Sequence, residues 1–296
     1  MNPKVAKFTV APGILALSLL IAIPLRAQDA APPAAADTPS TNGAAASQTG
    51  QTEAPTVEAT PSGRTGAPAD AASPDRPVSW LKLTPNFLHD QKDIWTFPVS
   101  VAHGHHLVPL LIFTGITAGL VAGADNPSGR YFQRTQSFGE FDSIFRDSHT
   151  ASAMFAFPVA FYGIGLLRRD SYAQHTVLLA GEAALDSTIL TVVMKDITRR
   201  VQPDQVAMGG NFADTWFQEH GHPFGGIGSF PCGHCIDAFS IATVFANRYP
   251  KYKWVAYGLA GLVSFTRLPI QAHNPSDVFA GAFLGFDIAH FTVQQY

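Results

Sequence analysis

From residue 80 onward, apolar residues gather in stretches of helical length, at roughly 106–123, 149–167, 175–200, 236–248, 252–266 and 276–292. Strand signals are scarce: no alternating run bounded by a hairpin turn stands out. Breakers separate the stretches: Asp125-Asn126-Pro127 after the first, Pro203 after the third, Tyr249-Pro250 after the fourth and Pro269 after the fifth. The pattern predicts an all-α domain over residues 80–296. Between the third and fourth helices, residues 204–230 form a long loop containing Gly and Phe. A loop of that length inside a compact domain is usually functional or lid-like.

The same stretches raise the question of a membrane. Leu107–Gly123 and Thr150–Leu167 are nearly free of charge and about long enough to span. The third helix carries Glu182 and Asp186, which lipid tolerates only if they face inward. The basic loops Arg168-Arg169 and Lys251–Lys253 fall on one side of a six-pass bundle, the cytoplasmic side by the positive-inside rule. Residue 105 would then also be cytoplasmic, although an exported N-terminal segment places it outside. Two readings stay open. Either the segment near 80–105 crosses or re-enters, or the bundle is a soluble one.

Composition divides the chain before the helices begin. Residues 28–79 are rich in Ala, Pro, Thr, Ser, Gln and Asp and have few large apolar side chains, the signature of a disordered tether. Residues 1–27 have the layout of a secretory signal peptide. Lys4 and Lys7 form a basic start, Ala11 to Pro24 an apolar core, and Leu25-Arg26-Ala27 a small-residue end. An uncleaved anchor is the alternative. Export to the periplasm or cell envelope is the expectation. The formal net charge of -3 argues against nucleic acid as a partner. The two cysteines, Cys232 and Cys235, are too few for a disulfide framework, but in an oxidising compartment they can pair with each other.

Three motifs carry candidate chemistry, and all fall at helix ends. Lys195 and Arg199 are four residues apart and share a helix face, so something anionic belongs near them. The alternative is that Lys195, Arg199 and Arg200 only complement the negative end of the helix dipole. Pro231-Cys232-Gly233-His234 precedes the fourth helix, where glycine permits close backbone approach and free N–H groups form an anion site. His234 can donate a proton near neutral pH. The third motif is Thr266-Arg267, five residues, His273, then Asn274-Pro275-Ser276-Asp277. Asn274 suits an N-cap with Pro275 at the first helical position. Asp277 is either a capping acid or the group that binds one ring nitrogen of His273 and leaves the other free to attack.

Together these motifs resemble the type 2 phosphatidic acid phosphatase family, which shares its fold with vanadium haloperoxidases. The family pattern is Lys-x6-Arg-Pro, Pro-Ser-Gly-His and Ser-Arg-x5-His-x3-Asp. This chain has Lys195-x6-Gln202-Pro203, Pro231-Cys232-Gly233-His234 and Thr266-Arg267-x5-His273-x3-Asp277, in the same order. The resemblance implies an all-α fold with a six-helix core bundle of the acid phosphatase/vanadium haloperoxidase type. It implies a phosphatase acting on a phosphomonoester or pyrophosphate, lipid or soluble. His273 is then the nucleophile that forms a phosphohistidine, Asp277 its orienting acid and His234 the proton donor to the leaving oxygen. Lys195, Arg267, the Gly233 N–H and the residues at 202 and 232 line the phosphate cradle. No metal or other cofactor is implied. The expected partner is a phosphorylated lipid or small phosphoester, with membrane association open.

Three departures bear on this expectation. Gln202 stands where the family has Arg, with Arg199 or Arg200 as conceivable substitutes. Cys232 replaces Ser with a weaker donor, and Thr266 keeps the hydroxyl of the Ser it replaces. A non-catalytic phosphate-binding relative and a vanadate-dependent haloperoxidase are therefore alternatives. So is a thiol-disulfide oxidoreductase built on Cys232-Gly233-His234-Cys235, a chemistry that uses a thioredoxin-like sheet. His103, His105, His106, His220 and His222 lack a Cys or carboxylate pattern that completes a four-ligand metal site, although Glu219 beside His220 keeps that reading open.

Overall fold

The computed structural model describes residues 77–296, with the exception of Gln136. The expected signal peptide over 1–27 and the expected tether up to residue 76 lie outside the described residues. Among the described residues every regular element is helical. In chain order they are α1 (Trp80–Ala102), α2 (Leu107–Gly123), α3 (Asp125–Arg134), α4 (Gly139–Ile144), α5 (Asp147–Arg168), α6 (Ser171–Thr198), α7 (Gly233–Arg248), α8 (Lys253–Thr266) and α9 (Pro275–Gln294). Short 3-10 turns occupy Pro203–Gln205 and Pro250–Tyr252. The six expected helices are α2 and α5 to α9. The alternative of a thiol-disulfide oxidoreductase would use a thioredoxin-like sheet, and no strand occurs among the described residues.

One expectation is corrected, and one open segment is filled. Asp125-Asn126-Pro127 does not simply break the chain after α2. It starts α3, where Pro127 sits in the first turn and gives up only an N–H that has no intrahelical partner there. Residues 80–102, with Pro85 and Pro98 inside them, form a 23-residue helix. This helix meets α2 at 97°, across an elbow in which Gly104 and His106 take positive φ.

The core lies between α6, α7 and α9. Leu179, Ala180, Ala183 and Ala184 of α6 pack against Ile241, Val244 and Phe245 of α7 and Ala289 of α9. Phe157 and Phe161 of α5 close it with ring contacts to Phe245, each at 5.1 Å. The closest approach is between α7 and α9. A Cβ on Gly281 would meet the Cys232 carbonyl at 2.5 Å, and one on Gly285 would overlap the Ile236 carbonyl. Only glycine lets these backbones touch, and the contact brings the start of α7 beside the start of α9.

Polar groups on the long helices point inward, as lipid exposure would demand. Glu182 accepts the Tyr296 hydroxyl at 2.8 and 2.9 Å, and Asp186 accepts Gln91 Nε2 at 2.8 Å. Large apolar residues point outward, among them Leu111 and Ile112 on α2, Val159 and Leu167 on α5, and Leu185 and Ile189 on α6. By length and composition, Ser148–Arg168 and Ser171–Gln205 can each cross a membrane. Leu107–Gly123 passes that test only together with α1, as a bent pair. The apolar exterior and the two candidate spans support membrane association.

Candidate active site

The site is assembled at one end of the bundle from the C-terminus of α6, the N-termini of α7 and α9, and the loop between α8 and α9. α6 ends at Thr198, where Arg199 turns left-handed (φ 41°) and donates its N–H to the Lys195 carbonyl at 2.9 Å. That conformation costs a non-glycine residue about 1–2 kcal/mol. It sends Arg200 into the interior and leaves Lys195 one turn back on the helix. α7 begins at Gly233, with Cys232 as N-cap and Cys232–Cys235 joined as a buried disulfide. Cys232 therefore has no thiol hydrogen to offer a phosphate. Its Sγ instead accepts the Cys235 N–H at 3.2 Å. α9 begins at Pro275 after Asn274 in the N-cap position, as expected.

His273 sits in the loop just before α9 and is almost fully buried. Its Nδ1 lies 2.7 Å from the Ser229 carbonyl oxygen. A carbonyl can only accept, so Nδ1 carries the proton and Nε2 keeps its lone pair. Burial, reinforced by the charges of Lys195, His234 and Arg267, holds the ring well below the usual histidine range, against the opposing pull of the Ser229 carbonyl. The imidazole is thus neutral at neutral pH, the state a nucleophile needs. The three basic residues singled out in the sequence all act on this one ring, so the spacing of the three motifs does converge in space.

The direct contact expected between Asp277 and the ring is not made at hydrogen-bonding distance. Asp277 Oδ2 stands 4.0 Å from His273 Nδ1. It accepts instead from Ser229 Oγ at 2.5 Å and from the Asn274 N–H at 2.7 Å. Asp277 therefore closes the first turn of α9 and at the same time holds the residue that holds His273. Burial pushes the Asp277 carboxyl up, and Arg200, Ser229 and the Asn274 N–H pull it back.

Neither arginine takes the place that Gln202 leaves. Arg199 gives its guanidinium to the carbonyls of Asp196 at 3.2 Å and Gly221 at 3.3 Å. Arg200 is fully buried and contacts Asp277 Oδ1 at 2.5 Å, Asp125 Oδ2 at 2.6 Å and Ser276 Oγ at 2.7 Å. Trp216 covers its guanidinium at 4.4 Å. Gln202 itself is half-buried and caps the turn Pro203–Gln205. Arg267 is also fully buried, with its guanidinium on the Phe145 carbonyl at 2.6 Å and Thr150 Oγ1 at 2.9 Å. Thr266 Oγ1 accepts from it at 2.8 Å and donates to the Val263 carbonyl at 2.6 Å.

Sequence reasoning missed Asp125, Ser229 and Ser276, and it assigned Arg200 to a helix end. Asp125 looked like punctuation, and Ser229 lies in a loop without a recognisable motif. The sequence offered one signal, the second cation of Arg199-Arg200, which a helix dipole alone does not require.

Residues 175–296 match the family model of the PAP2 superfamily. A lipid A 1-phosphatase from Rhizobium etli is 32% identical over 99 residues, which are 33% of this chain and 41% of that protein. A lipid A 1-phosphatase from Rhizobium johnstonii is 30% identical over 115 residues, 39% of this chain and 43% of that protein. The chain thus spans about two fifths of the length of the curated relatives it matches. A crystal structure of a transmembrane PAP2 type phosphatidylglycerolphosphate phosphatase from Bacillus subtilis aligns over 72% of this chain and 92% of that one. Its identity is 19% and its TM-score 0.33, too loose a superposition to argue from. With its three motifs in order and joined at one end of the bundle, the chain is similar over residues 175–296 to the PAP2 superfamily.

Proposed function

We propose that this protein is a metal-independent phosphatase that removes phosphate from a lipid phosphomonoester or pyrophosphate through a phosphohistidine, on the outer face of the membrane to which it is exported. The observation that carries the reading is the state of His273: neutral, held at Nδ1 by the Ser229 carbonyl, with the lone pair on Nε2 and Lys195, His234 and Arg267 acting on the ring. Nε2 attacks phosphorus as the bond to the leaving oxygen breaks, and His234 gives that oxygen its proton. Lys195, Arg267 and the first turn of α7 stabilise the charge on the phosphoryl oxygens. Water then attacks the phosphohistidine, gives its proton to His234, and releases inorganic phosphate and neutral His273. A lipid substrate is favoured over a soluble one by the apolar exterior and by relatives that act, by name, on lipid A.

Purified protein should release phosphate from lipid phosphates in mixed micelles, faster than from soluble phosphoesters and equally well in EDTA. His273→Ala should abolish release while leaving the helical content unchanged, because the ring itself forms the covalent bond. Substantial turnover by His273→Ala, or loss in EDTA restored by a divalent metal, overturns the reading.

A further inference from the structure

Four residues around Arg200 form a closed ring of contacts that ends on His273, and one of its anchors, Asp125, lies outside the region that matches the family. The Arg200 backbone carbonyl accepts the Ser229 N–H at 2.7 Å. The Arg200 guanidinium holds Asp277 Oδ1 at 2.5 Å, and Asp277 Oδ2 holds the Ser229 hydroxyl at 2.5 Å. Ser229 is thus gripped at its amide directly and at its hydroxyl through Asp277. Its carbonyl is left for His273 Nδ1 at 2.7 Å. On the other side of the guanidinium, Asp125 Oδ2 accepts Arg200 Nη2 at 2.6 Å and Ser276 Oγ at 2.6 Å, while Asp125 Oδ1 accepts the Ser276 N–H at 3.1 Å.

We propose that Asp125 and Arg200 are positioning residues for the nucleophile: a buried clamp that fixes Asp277 and, through Ser229, sets the tautomer and orientation of the His273 ring. The proposal rests on His273 being the nucleophile of the proposed phosphatase. Asp125, Arg200 and Asp277 are all fully buried. Burying three charges is expensive, and well-packed apolar residues are often as stabilising. What an apolar replacement cannot do is hold a carboxylate at both oxygens. The planar fork of arginine reaches Asp125 and Asp277 at once, which the point charge of lysine does not. A purely structural role, tying α3 to α9, would need only the Asp125–Ser276 contacts. The path through Asp277 and Ser229 to the ring is additional to it.

The test uses the full chain in detergent, with three substitutions: Asp125→Asn, Arg200→Lys and Ser229→Ala. The last keeps the carbonyl that meets His273 and removes only the hydroxyl link, so it reports on the clamp even if a charge variant fails to fold. Two readouts are taken. One is kcat and KM for a lipid phosphomonoester. The other is the Nδ1–H proton resonance in protein labelled at histidine, assigned by its loss in His273→Gln. Folded variants should lose kcat by about 100-fold, the scale of a 1 Å misplacement, with KM unchanged and the Nδ1–H resonance shifted or broadened. Wild-type kcat together with an unmoved resonance in Ser229→Ala and in either charge variant overturns the proposal. If wild type releases no phosphate, the phosphatase reading fails, and the resonance alone still decides whether the clamp sets the ring.

Discussion

Gln202 is the residue at which this chain departs furthest from the PAP2 pattern, and the structure removes the simplest compensation for it. Arg199 is spent on loop carbonyls and Arg200 on buried carboxylates. Gln202 remains close to the site, because the turn it caps is tied to the loop that carries His273 by the Asp204 N–H on the Gln271 carbonyl at 3.0 Å. Gln202→Arg should therefore add a cation where phosphoryl charge develops. A charged hydrogen bond contributes about 1.5–3 kcal/mol, so turnover should rise, or vanadate inhibition tighten, by about tenfold or more. Steady-state rates and vanadate titration of the two proteins check this, and identical values in both would mean that position 202 does not face the phosphate. The placement of the candidate residues was legible because their spacing is a property of helices: Lys195 on a last turn, His234 on a first turn, His273 just before one. Arg200 was not, because its destination depends on a left-handed turn at Arg199 that no local pattern announces. Asp277 was read as either cap or partner of the ring. It is a cap that reaches the ring through Ser229, a residue separated from it by 48 positions.

At the scale of the element, six helices followed from apolar length and breakers, while α1, α3 and the six-residue α4 did not. Pro85, Asp90, Lys92, Asp93 and Pro98 interrupt the apolar pattern of α1, yet Asn86 and Asp90 are buried on its inner face. Tertiary contacts, such as Gln91 on Asp186, override its weak propensity. The α7–α9 contact was equally invisible, since glycines four residues apart in a chain (Gly281-Ala282-Phe283-Leu284-Gly285) mean little until the facing backbone is known. The contact has a consequence for catalysis. Gly285→Ala would drive a methyl group into the Ile236 carbonyl, and α7 must move away. Overpacking of this kind costs about 1–3 kcal/mol. Because His234 rides on α7 and His273 precedes α9, the same shift should separate the proposed proton donor from the proposed nucleophile. The expected outcome is a lower melting temperature together with a larger fall in kcat than in KM. Gly261→Ala on α8, where a Cβ meets open space, is the control and should leave both near wild type. If the Gly285 variant loses stability but keeps its kcat, the glycine contact serves packing alone.

For the whole molecule, the bundle has two chemically different ends. One end holds Lys195, Gly233, Arg267 and His273. The other holds Arg168 and Arg169 between α5 and α6, and Arg248, Lys251 and Lys253 between α7 and α8. The second set is drawn together where Arg248 stacks on Tyr172 at 3.8 Å and the Tyr172 hydroxyl donates to the Arg248 carbonyl at 2.5 Å. Between the ends, α5 and α6 present exposed apolar side chains over lengths sufficient to cross lipid. α6, with 28 residues, extends about 42 Å at 1.5 Å per residue, more than a hydrocarbon core of about 30 Å. On the positive-inside rule, the Arg168–Lys253 end is expected in the cytoplasm and the His273 end outside. Two measurements follow. The protein should stay with membranes through a carbonate wash and leave them only with detergent. In a Cys232→Ser, Cys235→Ser background, a single cysteine introduced by Ser171→Cys at the basic end should resist a membrane-impermeant maleimide in intact cells. One introduced by Met208→Cys, in the exposed loop at the site end, should react. Release by carbonate would make the bundle peripheral. Labelling at position 171 without labelling at 208 would invert it and bring its substrate from the cytoplasmic side.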